Sequence, residues 1–146
     1  MSKYVQFALA LASLVCLNGA LVAGEKKEEH KHDDHKAPHG GALLEVGEHL
    51  AHIELVRDEK SGKITLYILG KDAKTAVALT DAPKINLKGK AGKKQLETKS
   101  VGVTGAEFEA TDELLKAHEL EGRIVVTIAG KKYNVDLKDD HGHDHK

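Results

Sequence analysis

Sulfur is almost absent from this chain. Its 146 residues contain one cysteine, Cys16, and one methionine, Met1. Both lie in an N-terminal stretch with the character of a cleaved signal, so the remaining chain can form no disulfide. It also lacks the soft thiolate and thioether ligands that favour Cu(I). A metal ion bound by the rest of the chain must therefore be held by nitrogen and oxygen atoms.

Strong charge of one sign and catalytic motifs are lacking as well. The formal net charge is −1, which provides no basic field for nucleic acid. There is no nucleophile motif, no glycine-rich phosphate loop after a strand and no His-Glu-x-x-His helix. We therefore expect neither a nucleic-acid partner nor enzymatic activity. Tryptophan is absent and aromatic residues make up 3% of the chain, so the core must consist of Val, Ile, Leu and Ala.

The first 23 residues predict a secretory signal peptide. Tyr4 to Val22 is almost continuously apolar, and small residues follow it before a charged stretch. A membrane anchor is the alternative, because the run is close to spanning length. The absence of a basic stop-transfer flank favours cleavage, after Ala23 or Gly24. The residues before Cys16 do not form a lipobox. We expect a periplasmic or extracellular protein with no membrane span after cleavage.

Histidine is the residue that this chain has in excess. Seven of its ten histidines lie in two short tracts that bracket the rest of the sequence. Neutral imidazole is the commonest protein ligand for Zn²⁺, Cu²⁺ and Ni²⁺, and interleaved aspartates add oxygen ligands. The tracts predict labile metal binding that fails below about pH 6, where imidazole is protonated. The alternative is that they are solvated tails. The tract histidines are His30, His32, His35, His39, His141, His143 and His145.

Composition divides the chain after the signal into three parts. Residues 24–37 are dense in charge and predict a disordered His-rich arm, and residues 139–146 predict a disordered His-rich tail. Residues 38–138 form one domain. Apolar residues alternate along most of this domain, which is typical of half-buried strands. The pattern predicts an all-β fold: a single antiparallel β-sandwich, immunoglobulin-like, with one short helical turn.

Turn and cap signals place the elements within this domain. Gly62 suits a left-handed position in a hairpin loop, and Arg57 begins the exposed part of that hairpin. Thr111 can cap a helical turn over 111–118, where a protonated His118 would complement the helix dipole. Strands are predicted over 42–46, 50–56, 64–69, 84–88, 94–98, 105–110, 123–128 and 132–137, with a short edge strand over 76–79.

One ordered metal site could form within the domain. His52 and Glu54 share a strand face about 7 Å apart, and His49 lies in the turn before that strand. His39 precedes two glycines that let the backbone approach closely. With a carboxylate from Glu48 or Glu54, the three histidines would leave an open position on Zn²⁺ or Cu²⁺. Two plainer alternatives remain: His52 and Glu54 form a solvated, hydrogen-bonded strand face, and His39 merely ends the arm.

The order of several short motifs resembles a known group of proteins. The motifs are Pro-His-Gly-Gly at 38–41, the segments 47–56 and 62–69, Gly-Lys-Lys-Tyr at 130–133, and the His/Asp tail. They resemble small secreted bacterial His-rich β-sandwich proteins, mostly uncharacterised, that are associated with heavy-metal efflux. Two histidines recur among the members of this group, and the resemblance implies that His39 and His52 correspond to them. Many members have a histidine where this chain has Arg57.

These observations predict a binding protein for divalent transition metal ions, namely Zn²⁺, Ni²⁺, Co²⁺ or Cu²⁺. It would buffer the ion or pass it by ligand exchange to a metal efflux or uptake component. An alternative of another class is a non-catalytic interaction module of an envelope complex, with solvated His tails. A hydrolytic metalloenzyme would need a metal-bound water and a base beside His39, His49 and His52.

Overall fold

The computed structural model describes residues 36–90 and 92–138. The predicted signal peptide, the C-terminal tail and nearly all of the arm lie outside these residues. Within the described part of the chain, no helix is both long and apolar enough to cross a membrane.

The described residues form nine strands in two antiparallel sheets, which confirms the all-β prediction. The first sheet has the strand order β1-β2-β3-β7-β6 and the second the order β5-β4-β8-β9. The strands are β1 Ala42–Val46, β2 Ala51–Asp58, β3 Lys63–Leu69, β4 Lys84–Gly89, β5 Gly92–Glu97, β6 Lys99–Val101, β7 Glu107–Thr111, β8 Glu121–Ile128 and β9 Lys131–Lys138.

Alternating apolar side chains from both sheets form one core. In β2 the inward residues include Ile53, which is fully buried, and β3 contributes Leu66 in the same way. Ile85 of β4 and Ile124 of β8 belong to the same cluster although they lie in the other sheet. Phe108 of β7 is the largest fully buried side chain. The period-two pattern of the sequence therefore identified the inward faces correctly.

The two sheets meet at both sides of this core. At one side Gly47, after β1, lies against Tyr133 of β9, and a Cβ atom at Gly47 would be 2.7 Å from the Tyr133 Cε1 atom. At the other side the chain passes from β5 to β6 through Thr98. The buried Thr98 hydroxyl donates a hydrogen bond of 2.6 Å to the carbonyl oxygen of Pro83.

Turn predictions are confirmed at some points and corrected at others. Gly62 has the expected positive φ, 68°. Ala129 and Gly130 both have positive φ, 50° and 76°, as a two-residue type I′ hairpin requires. The edge strand predicted over 76–79 is wrong, because only one isolated bridge, Leu69 to Ala76, forms there. The three-residue strand β6 was not predicted.

The predicted helical turn is shorter and starts later than expected. Thr111 is not its cap, because Thr111 still pairs with Lys63 as the last residue of β7. The element is a 3₁₀ helix, Glu113–Lys116, and Asp112 caps it by accepting a hydrogen bond from the Leu114 backbone N–H. His118 therefore lies beyond the helix.

The prediction that Arg57 is exposed is also wrong. Its side chain is only 6% exposed, because its position on β2 falls on the inward face and its guanidinium reaches the end of the 3₁₀ helix.

Candidate functional site

The outer face of the first sheet carries the candidate site. His52 and Glu54 alternate with the inward residues of β2, so both project from the side opposite to the core. In the strand register, Glu54 lies between Leu43 of β1 and Tyr67 of β3. His52 lies opposite Glu45 in the same way.

Glu54 is fully buried, although it is on the outer face of the sheet. The cover is the Pro-His-Gly-Gly segment, which folds back before entering β1. Gly40 turns the chain with a φ of 76°, and its N–H donates to the carbonyl oxygen of Ala37. Gly41 packs directly on β2, where a Cβ atom would lie 2.3 Å from the carbonyl oxygen of Leu55. Only glycine fits at position 41 without moving the backbone.

The Glu54 carboxylate is satisfied by three donors from this segment. Its Oε1 atom accepts hydrogen bonds from the backbone N–H groups of His39, at 2.6 Å, and Gly41, at 3.0 Å. Its Oε2 atom lies 2.7 Å from Nδ1 of the His39 ring. A buried carboxylate is retained only with such partners. Because an ionised carboxylate can only accept, we assign the ring proton to Nδ1, which leaves a lone pair on Nε2.

The phenol ring of Tyr67 supports the other side of this imidazole. The rings of His39 and Tyr67 are stacked, with centroids 3.7 Å apart and an angle of 8° between their planes. Burial raises the pKa of Tyr67 above its ordinary value, and the negative charges of Glu107 and Glu54 raise it further. Tyr67 is therefore a neutral platform at physiological pH. The His39 side chain remains 42% exposed, and within the described ranges its Nε2 makes no hydrogen bond.

His52 and His49 occupy different surroundings. His52 is 4% exposed, and its Nδ1 atom lies 3.1 Å from the carbonyl oxygen of Gly70. The alternative of a solvated face made by His52 and Glu54 is therefore wrong. His49 sits in the exposed turn after β1 with a φ of 62°. Its backbone N–H donates to Glu45 Oε1 at 2.7 Å, and its Nδ1 lies 3.4 Å from the same oxygen.

The structure brings some of the predicted ligands together and separates others. His39 is joined to Glu54, whereas His49 is joined to Glu45, and Glu48 is exposed in the turn. Among residues 36–90 and 92–138, no group of three or more His, Cys, Asp or Glu side chains could hold a metal ion. The described residues thus contain no complete site built on His39, His49 and His52. The other predicted ligands, His30, His32, His35, His141, His143 and His145, lie outside the described residues.

Two features of the site were not predicted from the sequence. One is the stacking of His39 on Tyr67. The other is the set of hydrogen bonds that the Glu54 carboxylate accepts from the backbone of the Pro-His-Gly-Gly segment. The pair of glycines just before a strand was the available signal, since it indicated a close backbone approach. The strand that this backbone approaches is set by tertiary structure.

A concave surface lies on the outer face of the second sheet. It encloses about 850 Å³ and is lined by polar residues such as Asn86. Its charges are largely paired: Lys88 with Glu121 at 2.8 Å and Arg123 with Asp136 at 3.0 Å. No aromatic side chain lines it. Its composition is that of a solvated sheet face.

Comparison with known proteins adds no relative. No family model matches the chain, and no curated protein or solved structure matches it significantly. The functional argument therefore depends on the residues themselves.

Proposed function

We propose that this chain is a secreted or periplasmic binding protein for divalent transition metal ions, Zn²⁺, Ni²⁺, Co²⁺ or Cu²⁺. One observation carries the proposal: ten of 146 residues are histidine, and seven of these lie in two aspartate-containing tracts that flank the β domain. Imidazole nitrogens with carboxylate oxygens suit these four ions, and residues 24–146 contain none of the sulfur ligands of Cu(I) proteins.

The proposed mechanism is capture followed by ligand exchange. Histidines two to four residues apart, as in His30 to His39, allow several imidazoles of one tract to bind the same ion. A partner with a more complete ligand set then removes it. The resemblance to secreted proteins associated with heavy-metal efflux supports a transport component as that partner, and the apolar N-terminal segment supports export.

In this proposal the β domain is the carrier of the tracts. We propose that its two sheets form an immunoglobulin-like sandwich, supported by their antiparallel pairing and by the core that they share. No catalytic step is assigned to it.

The test is a calorimetric titration of the chain from Gly24 to Lys146 with Zn²⁺, Ni²⁺ and Cu²⁺. One variant replaces His30, His32 and His35 by Asn, and a second replaces His141, His143 and His145. We expect the parent chain to bind several ions per molecule and each variant to bind fewer. His49→Asn with His118→Asn is the matched control outside the tracts, and it should retain most of the capacity.

Failure of the parent chain to bind any of these ions above background would remove the metal proposal. The interaction-module alternative would then be favoured, provided that a variant lacking all six replaced histidines keeps the cellular phenotype and the protein partner of the parent.

A further inference from the structure

We propose that Nε2 of His39 is an ordered ligand that anchors a divalent, imidazole-preferring metal ion to the surface of the β domain, and that Glu54 is its positioning residue. This inference rests on the proposed function, because it adds a fixed point to the metal capture assigned to the first tract.

The first step is the state of the ring. The carboxylate of Glu54 accepts at Oε2 from His39 Nδ1 at 2.7 Å, so the proton is held on that nitrogen. Metal-binding histidines characteristically donate their second ring N–H to a carboxylate or carbonyl, which fixes the tautomer and raises the basicity of the ligating nitrogen. His39 has this arrangement before any metal ion arrives.

The second step is the immobility of the ring. The same carboxylate that bonds the ring also accepts the backbone N–H of His39 at 2.6 Å, and Tyr67 covers one face of the ring. Both the side chain and the backbone of His39 are therefore fixed by groups of the sheet. A ligand that is already ordered loses little conformational entropy when the ion binds.

The third step is the source of the remaining ligands. One imidazole does not make a site, since Zn²⁺ usually takes four ligands. His35 is four residues before His39 in the sequence and His32 is seven. An extended chain of four residues spans at most about 14 Å, so the sequence separation allows the imidazole of His35 to bind the same ion. The tract would then supply exchangeable ligands and His39 the constant one.

The competing interpretation is that the hydrogen bonds of Glu54 have only a structural role. In that case Glu54 serves only to dock the Pro-His-Gly-Gly segment on β2, and Nε2 contributes nothing to metal affinity. The two interpretations differ in what a change at Glu54 does to bound metal.

The experiment follows a Zn²⁺ titration of the chain from Gly24 to Lys146 by ¹⁵N–¹H NMR of the histidine rings. We expect Nε2 of His39 to respond at the first equivalent, before His49. In Glu54→Gln the amide N–H donates to Nδ1 and moves the ring proton to Nε2. The apparent Zn²⁺ affinity at His39 should then fall about 10- to 100-fold.

Matched controls use a second His–Glu contact on the same sheet. Glu45→Gln changes the carboxylate beside His49 Nδ1, which lies 3.4 Å away, and should leave the tightest Zn²⁺ affinity unchanged. His39→Gln should weaken the tightest Zn²⁺ binding, whereas His49→Gln should not, although the two rings are similarly exposed at 42% and 46%. If Glu54→Gln does not fold, the titration of the parent chain and the His39→Gln pair still decide.

Two outcomes separate this inference from the proposal on which it rests. Zn²⁺ bound with no response of the His39 ring, or equal affinities in Glu54→Gln and Glu45→Gln, would overturn the anchor and leave the tracts as the binding element. A parent chain that binds no Zn²⁺ would overturn both.

Discussion

Arg57 Nη1 lies 2.6 Å from the carbonyl oxygen of Ala117, sixty residues later in the chain. The same guanidinium donates from Nη2 to the carbonyl oxygen of His118 at 3.2 Å and to Glu59 Oε1 at 2.6 Å. The carbonyl groups that follow a helical turn lack partners within it, and this arginine supplies one from the end of β2. The fork of donors on a guanidinium suits several acceptors at once.

Replacing Arg57 by Met should therefore destabilise the domain. We expect the free energy of unfolding to fall by about 2 kcal/mol, because hydrogen bonds from a charged, nearly buried donor are lost and their acceptors remain. Urea denaturation followed by circular dichroism measures the change. Arg123→Met is the matched control: its pair with Asp136 is 54% and 62% exposed, and its loss should cost less than about 1 kcal/mol. Equal effects of the two substitutions would contradict this role of Arg57.

Gly47 is held by two requirements, a positive φ of 47° and contact with the ring of Tyr133. Gly130 has only the first, a φ of 76° with open space around it. Ala at position 130 should cost about 1 kcal/mol from backbone strain. Ala at position 47 should cost at least about 1 kcal/mol more, because the ring must also move. Thermal unfolding of the two variants compares them, and equal costs would show that the contact between the sheets tolerates a methyl group.

Ionisation of the Asp72 carboxyl group should make the free energy of unfolding depend on pH in the acid range. The pKa of Asp72 is lowered from 3.8 to about 2, chiefly because the Thr75 hydroxyl donates to its carboxylate and then because the N–H groups of Thr75 and Lys74 do so. A pKa lowered by folding means that the ionised form stabilises the fold above about pH 4 and that this contribution is lost as the pH falls towards 2.

The measurement is the NMR titration of the Asp72 carboxyl carbon. Thr75→Val removes the leading donor and should raise the pKa of Asp72 towards 3.8, while the stability difference between the two proteins narrows as acid protonates the carboxylate. An unchanged pKa in Thr75→Val would assign the effect to the backbone donors alone.

The cap of the 3₁₀ helix gives a prediction that separates neighbouring residues. Asp112→Ala should lower the free energy of unfolding by about 1 kcal/mol, since the Leu114 N–H loses its acceptor. Thr111→Val should change it by less than about 0.5 kcal/mol, because the Thr111 side chain is exposed at a strand end.

Asp112 also forms an ion pair with Lys94. The stability lost in Asp112→Ala therefore has to be separated into a contribution from the cap and a contribution from the ion pair. Asp112→Asn keeps a good capping side chain and removes the charge. A loss in Asp112→Asn as large as in Asp112→Ala, measured by chemical denaturation at low and high salt, would attribute the stabilisation to the ion pair instead of the cap.

The local sequence pattern predicts the strands, because a strand that buries one face in the core requires only that apolar and polar residues alternate. β1 was predicted with its observed ends, and most other strands within a few residues. β6 escaped because three residues are too short to show a period. The helical turn was placed one residue early because Thr111 and Asp112 are both good caps, and only the pairing of Thr111 with Lys63 decides between them.

The candidate site was predicted less completely, since its key contact spans separate elements. The sequence placed His52 and Glu54 on one outward face, and that face exists. It could not show that residues 37–41 cover this face, so it gave no sign that Glu54 is fully buried. Likewise, the sequence gives no sign that Arg57 is buried, because its acceptors, such as the carbonyl of Ala117, are far away in sequence.

The stacking of His39 on Tyr67 places a fluorescent side chain directly beside the proposed metal ligand. The chain has no tryptophan and three tyrosines, of which Tyr4 belongs to the predicted signal peptide. Ultraviolet emission would therefore come from Tyr67 and from Tyr133 in the other sheet. If a paramagnetic Cu²⁺ ion binds Nε2 as proposed, it would be held by an imidazole whose centroid lies 3.7 Å from that of the Tyr67 ring, close enough to quench the fluorescence of Tyr67. In Tyr133→Phe, the fluorescence intensity of Tyr67 would then report copper binding at His39 without any added dye.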